Sequence, residues 1–134
     1  MNRTTALLGA IVGAISLSGV ASARPHIIFH GRHLHFQNHP FNVPGGVEVP
    51  FREMGQLIGA HTGRTPNGQR VFIDYHGHHV EYDKFHFAYW LDGQRYSLYD
   101  HSKDRNGVMY VPFVIFRAVT NQEAHFVDND DDWD

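Results

Sequence analysis

Gly46-Val47-Glu48-Val49-Pro50-Phe51-Arg52-Glu53-Met54-Gly55-Gln56-Leu57-Ile58-Gly59-Ala60 and Gly107-Val108-Met109-Tyr110-Val111-Pro112-Phe113-Val114-Ile115-Phe116-Arg117 follow one pattern twice. In each arm a short β-branched run meets Val-Pro-Phe, and proline is best tolerated in the first turn of a helix. Phe51, Met54, Leu57 and Ile58 then fall on one face of a 3.6-residue period, so the spacing predicts a helix over Pro50–Ile58 that Gly59 stops. The second arm predicts a helix over Pro112–Val119 with Phe113, Phe116 and Val119 inward. Gly31 and Gly93, Val49 and Val111, Pro50 and Pro112, and Phe51 and Phe113 all recur in one register, 62 positions apart. That register describes a hairpin, loop, helix and strand used twice, in which neither copy is large enough to bury its own core.

The flanking sequence is mostly β in character. Ile27–Phe29, a turn at His30-Gly31-Arg32 and His33–Phe36 read as a hairpin, and a Pro/Gly-rich loop (Pro40, Pro44, Gly45, Gly46) precedes the first arm. A loop is expected over Thr62–Gln69 and strands over Val71–Tyr75, His79–Tyr82 and Phe85–Leu91. Asp92-Gly93 marks a hairpin turn into Gln94–Tyr99. Asp100–Gly107 reads as a polar loop and Ala124–Val127 as a last strand. The expected fold is α+β, a mainly antiparallel sheet with two short helices packed on it.

The 134 residues carry 14 acidic and 11 basic side chains, a formal charge of -3, which speaks against a nucleic-acid partner. Arg3, the apolar stretch Ala6–Val20 and Ala21-Ser22-Ala23 read as a signal peptide over 1–23, cleaved before Arg24. The expectation is a domain over 24–127 with an acidic tail over 128–134, exported to the periplasm, the cell envelope or the medium, with no transmembrane helix after cleavage. Cysteine is absent, so stability comes from packing alone.

The two arms resemble the motif "nGrtyVPlRfiaealGa" of the copper amine oxidase N-terminal domain, also called the stalk domain. Gly46, Val49, Pro50, Phe51, Arg52 and Gly59 carry it in the first copy, and Val111, Pro112 and Phe113 in the second. Gly93 matches the "vnG" hairpin of the family. The second copy departs from the motif: Val114 stands where Arg is expected, and Asn121-Gln122 where Gly-Ala would follow the helix. The resemblance implies a non-catalytic accessory module, because the copper histidines and quinone-forming tyrosine of copper amine oxidases lie in a different domain. By analogy with exported envelope proteins carrying such domains, its partner would be an envelope or extracellular ligand, protein or glycan.

A search for catalytic chemistry agrees with that expectation. Beyond the leader there are two serines, Ser97 and Ser102, neither in a Gly-x-Ser-x-Gly elbow, and no cysteine. Glu81 and Asp83 could pair on one strand face, yet such a pair is more commonly solvated surface. Glu48 and Glu53 read as surface charges, with Glu53 also favoured by the helix dipole. Arg52, in the first helical turn, is expected to make a structural ion pair. Trp90 reads as core, and Tyr75, Tyr82, Tyr89, Tyr96 and Tyr99 as exposed aromatics able to line a ligand surface.

Histidine is the outlier, with 12 copies, all after position 25. The i, i+2 pairs His33/His35 and His76/His78 would each share a strand face, with His30, His39 and His79 as further candidates for a Cu, Zn or Ni ion. Random scatter of the same twelve gives about one such pair, so composition rather than spacing is the signal. Surface chemistry with a pH response is the commoner meaning of such a composition, and a histidine-rich metal-binding protein is the alternative reading. No cofactor is otherwise implied. The tail Asp128–Asp134 has aspartates at alternate positions but lacks the glycine and distal glutamate of a calcium loop.

Overall fold

The computed structural model describes residues 25–99 and 102–127. The proposed signal peptide (1–23) and the acidic tail (128–134) lie outside the described residues. The fold is α+β, built in the order β1 (His26–Phe29), β2 (Arg32–His33), β3 (Phe41–Val43), β4 (Gly46–Pro50), α1 (Phe51–Ile58), β5 (His61–Arg64), β6 (Val71–Tyr75), β7 (His78–Asp83), β8 (Ala88–Leu91), β9 (Gln94–Ser97), β10 (Asp104–Arg105), β11 (Val108–Pro112), α2 (Val114–Val119) and β12 (Ala124–Val127). All strand pairings among these residues are antiparallel, in three sheets ordered β12-β1-β2, β10-β11-β4-β3 and β5-β6-β7-β8-β9.

The 62-residue register of the sequence is a pseudo-two-fold axis. It carries β1 onto β8, β4 onto β11, α1 onto α2 and β5 onto β12 within one or two residues at the ends. The axis passes through the central sheet, where Val49 pairs with its own equivalent, Val111. The outer sheets are then counterparts: β12-β1-β2 corresponds to β5, β8 and β9, with the β6–β7 hairpin inserted between β5 and β8. An inserted hairpin adds an even number of strands, so β5 and β8 keep the mutual orientation of β12 and β1.

The core lies between the sheets and the two helices: Val49, Val111, Met54, Phe113, Ile115, Phe116 and Val119 are fully or almost fully buried, with Ile73 and Val80 of the inserted hairpin among them. α1 packs on β4, β5 and β11; α2 packs likewise on β11 and β12 and in addition on β6, β7 and β8. That difference explains the unlike helix sequences. Leu57 is 37% exposed, but its equivalent Val119 is fully buried; exposed Arg52 and Gln56 of α1 correspond to half-buried Val114 and Ala118 of α2.

Turn chemistry accounts for several histidines. His30-Gly31, His76-Gly77, Asp92-Gly93 and Asn106-Gly107 each connect two strands with both residues at positive φ, the primed turn that matches strand twist. His30 and His76 occupy the first turn position, where asparagine, aspartate and histidine are the tolerated side chains.

Several expectations need correction. Thr62–Arg64 is strand rather than loop, because β5 pairs with β6. β2 ends at His33 instead of Phe36, and β8 begins at Ala88 because 84–87 form the turn from β7. Tyr75, Tyr82 and Tyr89 are buried, their side chains alternating inward on the five-stranded sheet, and only Tyr96 and Tyr99 are exposed. Trp90 is half-buried on the outer face rather than in the core, its ring covered by the Arg70 guanidinium at 3.6 Å. Glu48 is buried, with Arg105 Nη2 at 3.4 Å from Oε1. Asp83 is buried too.

Candidate functional site

A cleft of about 820 Å³ runs along the open side of α1. Its walls are α1 (Arg52, Glu53, Gln56, Leu57), β5 (Thr62, Gly63, Arg64), the segment after β2 (His35, Gln37, Asn38) and the β10–β11 turn (Gly107 to Met109). Both copies of the repeat therefore contribute to it. The equivalent flank of α2 is a smaller groove of about 170 Å³, lined by Tyr99, Val114 and Phe126 where the cleft has Gln37, Arg52 and Arg64.

The cleft is electropositive. Arg52 and Arg64 are exposed, and among the described residues neither lies within ion-pair distance of a carboxylate. The structural ion pair expected of Arg52 is thus not found among the described residues. Glu53 is the single acidic wall residue, and it accepts hydrogen bonds from the Gln37 and Asn38 amides and from Asn38 Nδ2. The carboxylate pins the segment that carries His35 against the first turn of α1, and its charge offsets one of the two arginines, which leaves the lining with a net positive charge. Leu57 and Met109 add apolar area beside them.

A second cluster decorates the outer face of the five-stranded sheet. His79 lies between two carboxylates, Nδ1 at 2.6 Å from Asp74 and Nε2 at 2.9 Å from Glu81. Both ring nitrogens can donate only in the imidazolium, so the hydrogen bonds to Glu81 and then Asp74 raise the His79 pKa. The Glu81 pKa is lowered, first by the His79 bond, with Arg70 Nη1 at 3.0 Å adding to it. At the far end of β7, burial raises the Asp83 pKa, but bonds from the His86 ring and the Phe85 amide overcome it and leave the net shift downward.

The remaining histidines of interest are dispersed. His30 Nε2 is 3.0 Å from Glu123, whose pKa is lowered first by that bond and next by the Tyr75 hydroxyl. His78 Nδ1 is 2.8 Å from Asp92. His76 stacks on Tyr75 with ring centroids 4.0 Å apart, and His33 sits edge-on to His26 at 5.5 Å. Neither i, i+2 pair shares a strand face: His35 lies beyond the end of β2, and His76 is in a turn whereas His78 begins β7. Among the described residues no three His, Asp or Glu side chains converge as a metal site would require. Among the described residues, the side chains do not form a ligand set that fits the copper of the family's name.

The profile of the copper amine oxidase N-terminal domain matches residues 28–130, a span that includes both arms and the inserted hairpin. The chain belongs to the copper amine oxidase N-terminal domain family. That family is the non-catalytic N-terminal domain of copper amine oxidases. No curated protein and no solved structure shows a significant match. Within this domain Val49, Pro50, Phe51, Val111, Pro112 and Phe113 are framework: they join the two copies across the axis and start the helices. Gly59 takes the left-handed conformation that ends α1, with φ 76. Gly93 closes β8 to β9, and Gly46 opens β4. Of the motif residues, Pro50, Phe51 and Arg52 line the cleft, and Arg52 is the exposed, charged one. Sequence reading missed Arg64, Gln37, Asn38 and Met109; comparing the two helices position by position, with Arg52 against Val114 and Gln56 against Ala118, was the available signal.

No helix among the described residues is long and apolar enough to cross a membrane.

Proposed function

We propose that this chain is an exported, non-catalytic binding module of the cell envelope, whose ligand, a protein or a glycan, engages the cleft beside α1. The observation that carries this reading is a cleft that gathers Arg52, Arg64 and His35 on a chain of net charge -3. Its one carboxylate is committed to backbone amides. Acid–base hydrolysis at such a site needs two free groups in concert or an activated nucleophile, and the cleft lining supplies neither. The leader-like N-terminus and the family support residence outside the cytoplasm. The test is cosedimentation of the processed protein with envelope fractions of the producing cell, wild type against R52E/R64E. The reading expects saturable binding that falls at least tenfold in the double variant. Equal binding by both, or none by the wild type, overturns it.

A further inference from the structure

β5 is an outer strand of the five-stranded sheet, bonded to β6 on one side, and its residues Thr62, Gly63 and Arg64 line the cleft. Gly63 has no side chain, so this stretch of the wall is main chain. One step beyond the Arg64–Val71 pair, the Thr65 amide donates to the Arg70 carbonyl at 2.9 Å. Opposed residues of an antiparallel ladder exchange bonds at every second pair, so Gly63 with Phe72 and His61 with Asp74 hold β5 to β6. Thr62 and Arg64 therefore turn their N–H and C=O groups to the open edge. Among the described residues those groups have no hydrogen-bond partner.

The helix lies against the same edge. A Cβ on Gly55 would come within 2.5 Å of Thr62 Cγ2, so the main chain of α1 packs directly on β5. Thr62 and Arg64 share a sheet face with Ile73 and Val71, their partners on β6. A strand added beside β5 lays every second side chain on that face, against the exposed flank of α1 with Arg52, Gln56 and Leu57. The lining there is positively charged, and Arg52 and Arg64 offer planar guanidinium donors suited to carboxylates.

We propose that the cleft takes an extended acidic peptide of a protein ligand, which pairs with the open edge of β5 as an added strand and directs its carboxylates at Arg52 and Arg64. This rests on reading the cleft as the binding surface. It selects a protein over a glycan because a peptide main chain carries the alternating donors and acceptors that match Thr62 and Arg64. Main-chain pairing supplies affinity, and the side chains that reach Arg52, Arg64 and Leu57 supply selection. Pairing of two β5 edges would set one positively charged cleft against another, which disfavours a second copy as the added strand.

The test titrates the full processed chain, isotope-labelled for NMR, with short peptides blocked at both ends in which glutamate alternates with valine, threonine or leucine. The Thr62 and Arg64 amides are expected to shift and to gain protection from exchange, while those of His61 and Gly63 change little. Binding falls about tenfold in R52E/R64E, and again when lysine replaces glutamate in the peptide. N-methylation of one alternate set of peptide amides abolishes binding and of the other set leaves it, since only one edge of an added strand meets β5. That readout depends on no variant folding. Equal response to the two methylated sets overturns the proposal, because charge alone then holds the peptide. A polyuronate that shifts the Arg52 and Arg64 Nε–H signals, with no peptide doing so, overturns it in favour of a glycan. Protection of Thr62 that rises with protein concentration in the absence of peptide overturns it in favour of a second copy. If no peptide binds but R52E/R64E still abolishes envelope binding, the binding module stands and strand addition is lost.

Discussion

Val49 and Val111 face each other across the β4–β11 pair, both with no exposed surface, and each is the 62-residue equivalent of the other. One contact on the pseudo-two-fold axis therefore joins the two copies. Val49→Ala or Val111→Ala should each cost about 2–3 kcal/mol by denaturant unfolding, from lost burial plus cavity. Because the side chains are neighbours, the double variant should depart from additivity by at least about 0.5 kcal/mol. Additive losses well below 1 kcal/mol would remove the axis contact from the core.

The helix ends differ for a conformational reason. Gly59 ends α1 in the left-handed region, while the second copy holds Asn121 and Gln122 there, with φ 53 and 68. Asparagine tolerates that region and glutamine does not. Gln122→Gly should stabilise the fold by about 0.5–1 kcal/mol, strain relief outweighing added chain entropy. Gly59→Ala should destabilise it by about 1 kcal/mol, since a Cβ there meets no atom and the cost is backbone alone. Thermal unfolding of the two variants reads both signs.

His79 gives a pH dependence of known direction. Its pKa is raised in the folded chain, so its stabilising contribution is complete below the unfolded value near 6.5 and is lost as pH rises through the folded value. Glu81, whose pKa is lowered, contributes above its unfolded value and loses that contribution as pH falls through the folded one. The pair is strongest between those limits. The stability gap between wild type and His79→Gln should therefore narrow from mildly acid to alkaline pH, measured by urea unfolding at each pH. A gap that widens with pH would contradict the assignment.

Dispersed histidines, several of them bonded or stacked locally, predict weak and multi-site binding of Cu(II), Zn(II) and Ni(II). Calorimetric titration should give affinities that scale with the number of histidines present. Removing His33 with His35, or His76 with His78, should lower binding in proportion to two sites among many. A sub-micromolar site of fixed stoichiometry that disappears with one pair would revive the metal reading.

The proposed signal peptide over 1–23 predicts processing. Mass spectrometry of the exported protein should place its N-terminus at Arg24, and retention of residues 1–23 would argue for an N-terminal anchor instead.

Much of the framework was legible because it is local. The Val-Pro-Phe arms, the helical spacing of Phe51, Met54 and Ile58, and the Asp92-Gly93 turn each state their structure within a few residues. β5 was not legible, since Thr62-Gly63-Arg64 has weak strand character and becomes a strand only by pairing with β6. The same holds for Trp90, placed outward by strand register, and for Glu48, buried beside Arg105 from 57 residues away. The cleft is legible only by difference. Arg52 against Val114, with Arg64 against Phe126, marks a polar flank beside one helix and an apolar one beside the other, a contrast that shows only when the two copies are compared.

The central claim, that the open flank of α1 is where this domain meets its ligand, is tested most directly by amide hydrogen exchange of the processed protein with and without solubilised envelope material. The account predicts added protection at 35–38, 51–57, 62–64 and 107–109, absent in R52E/R64E. Protection confined to the outer face of the five-stranded sheet, around Phe72, His79 and Trp90, would contradict it.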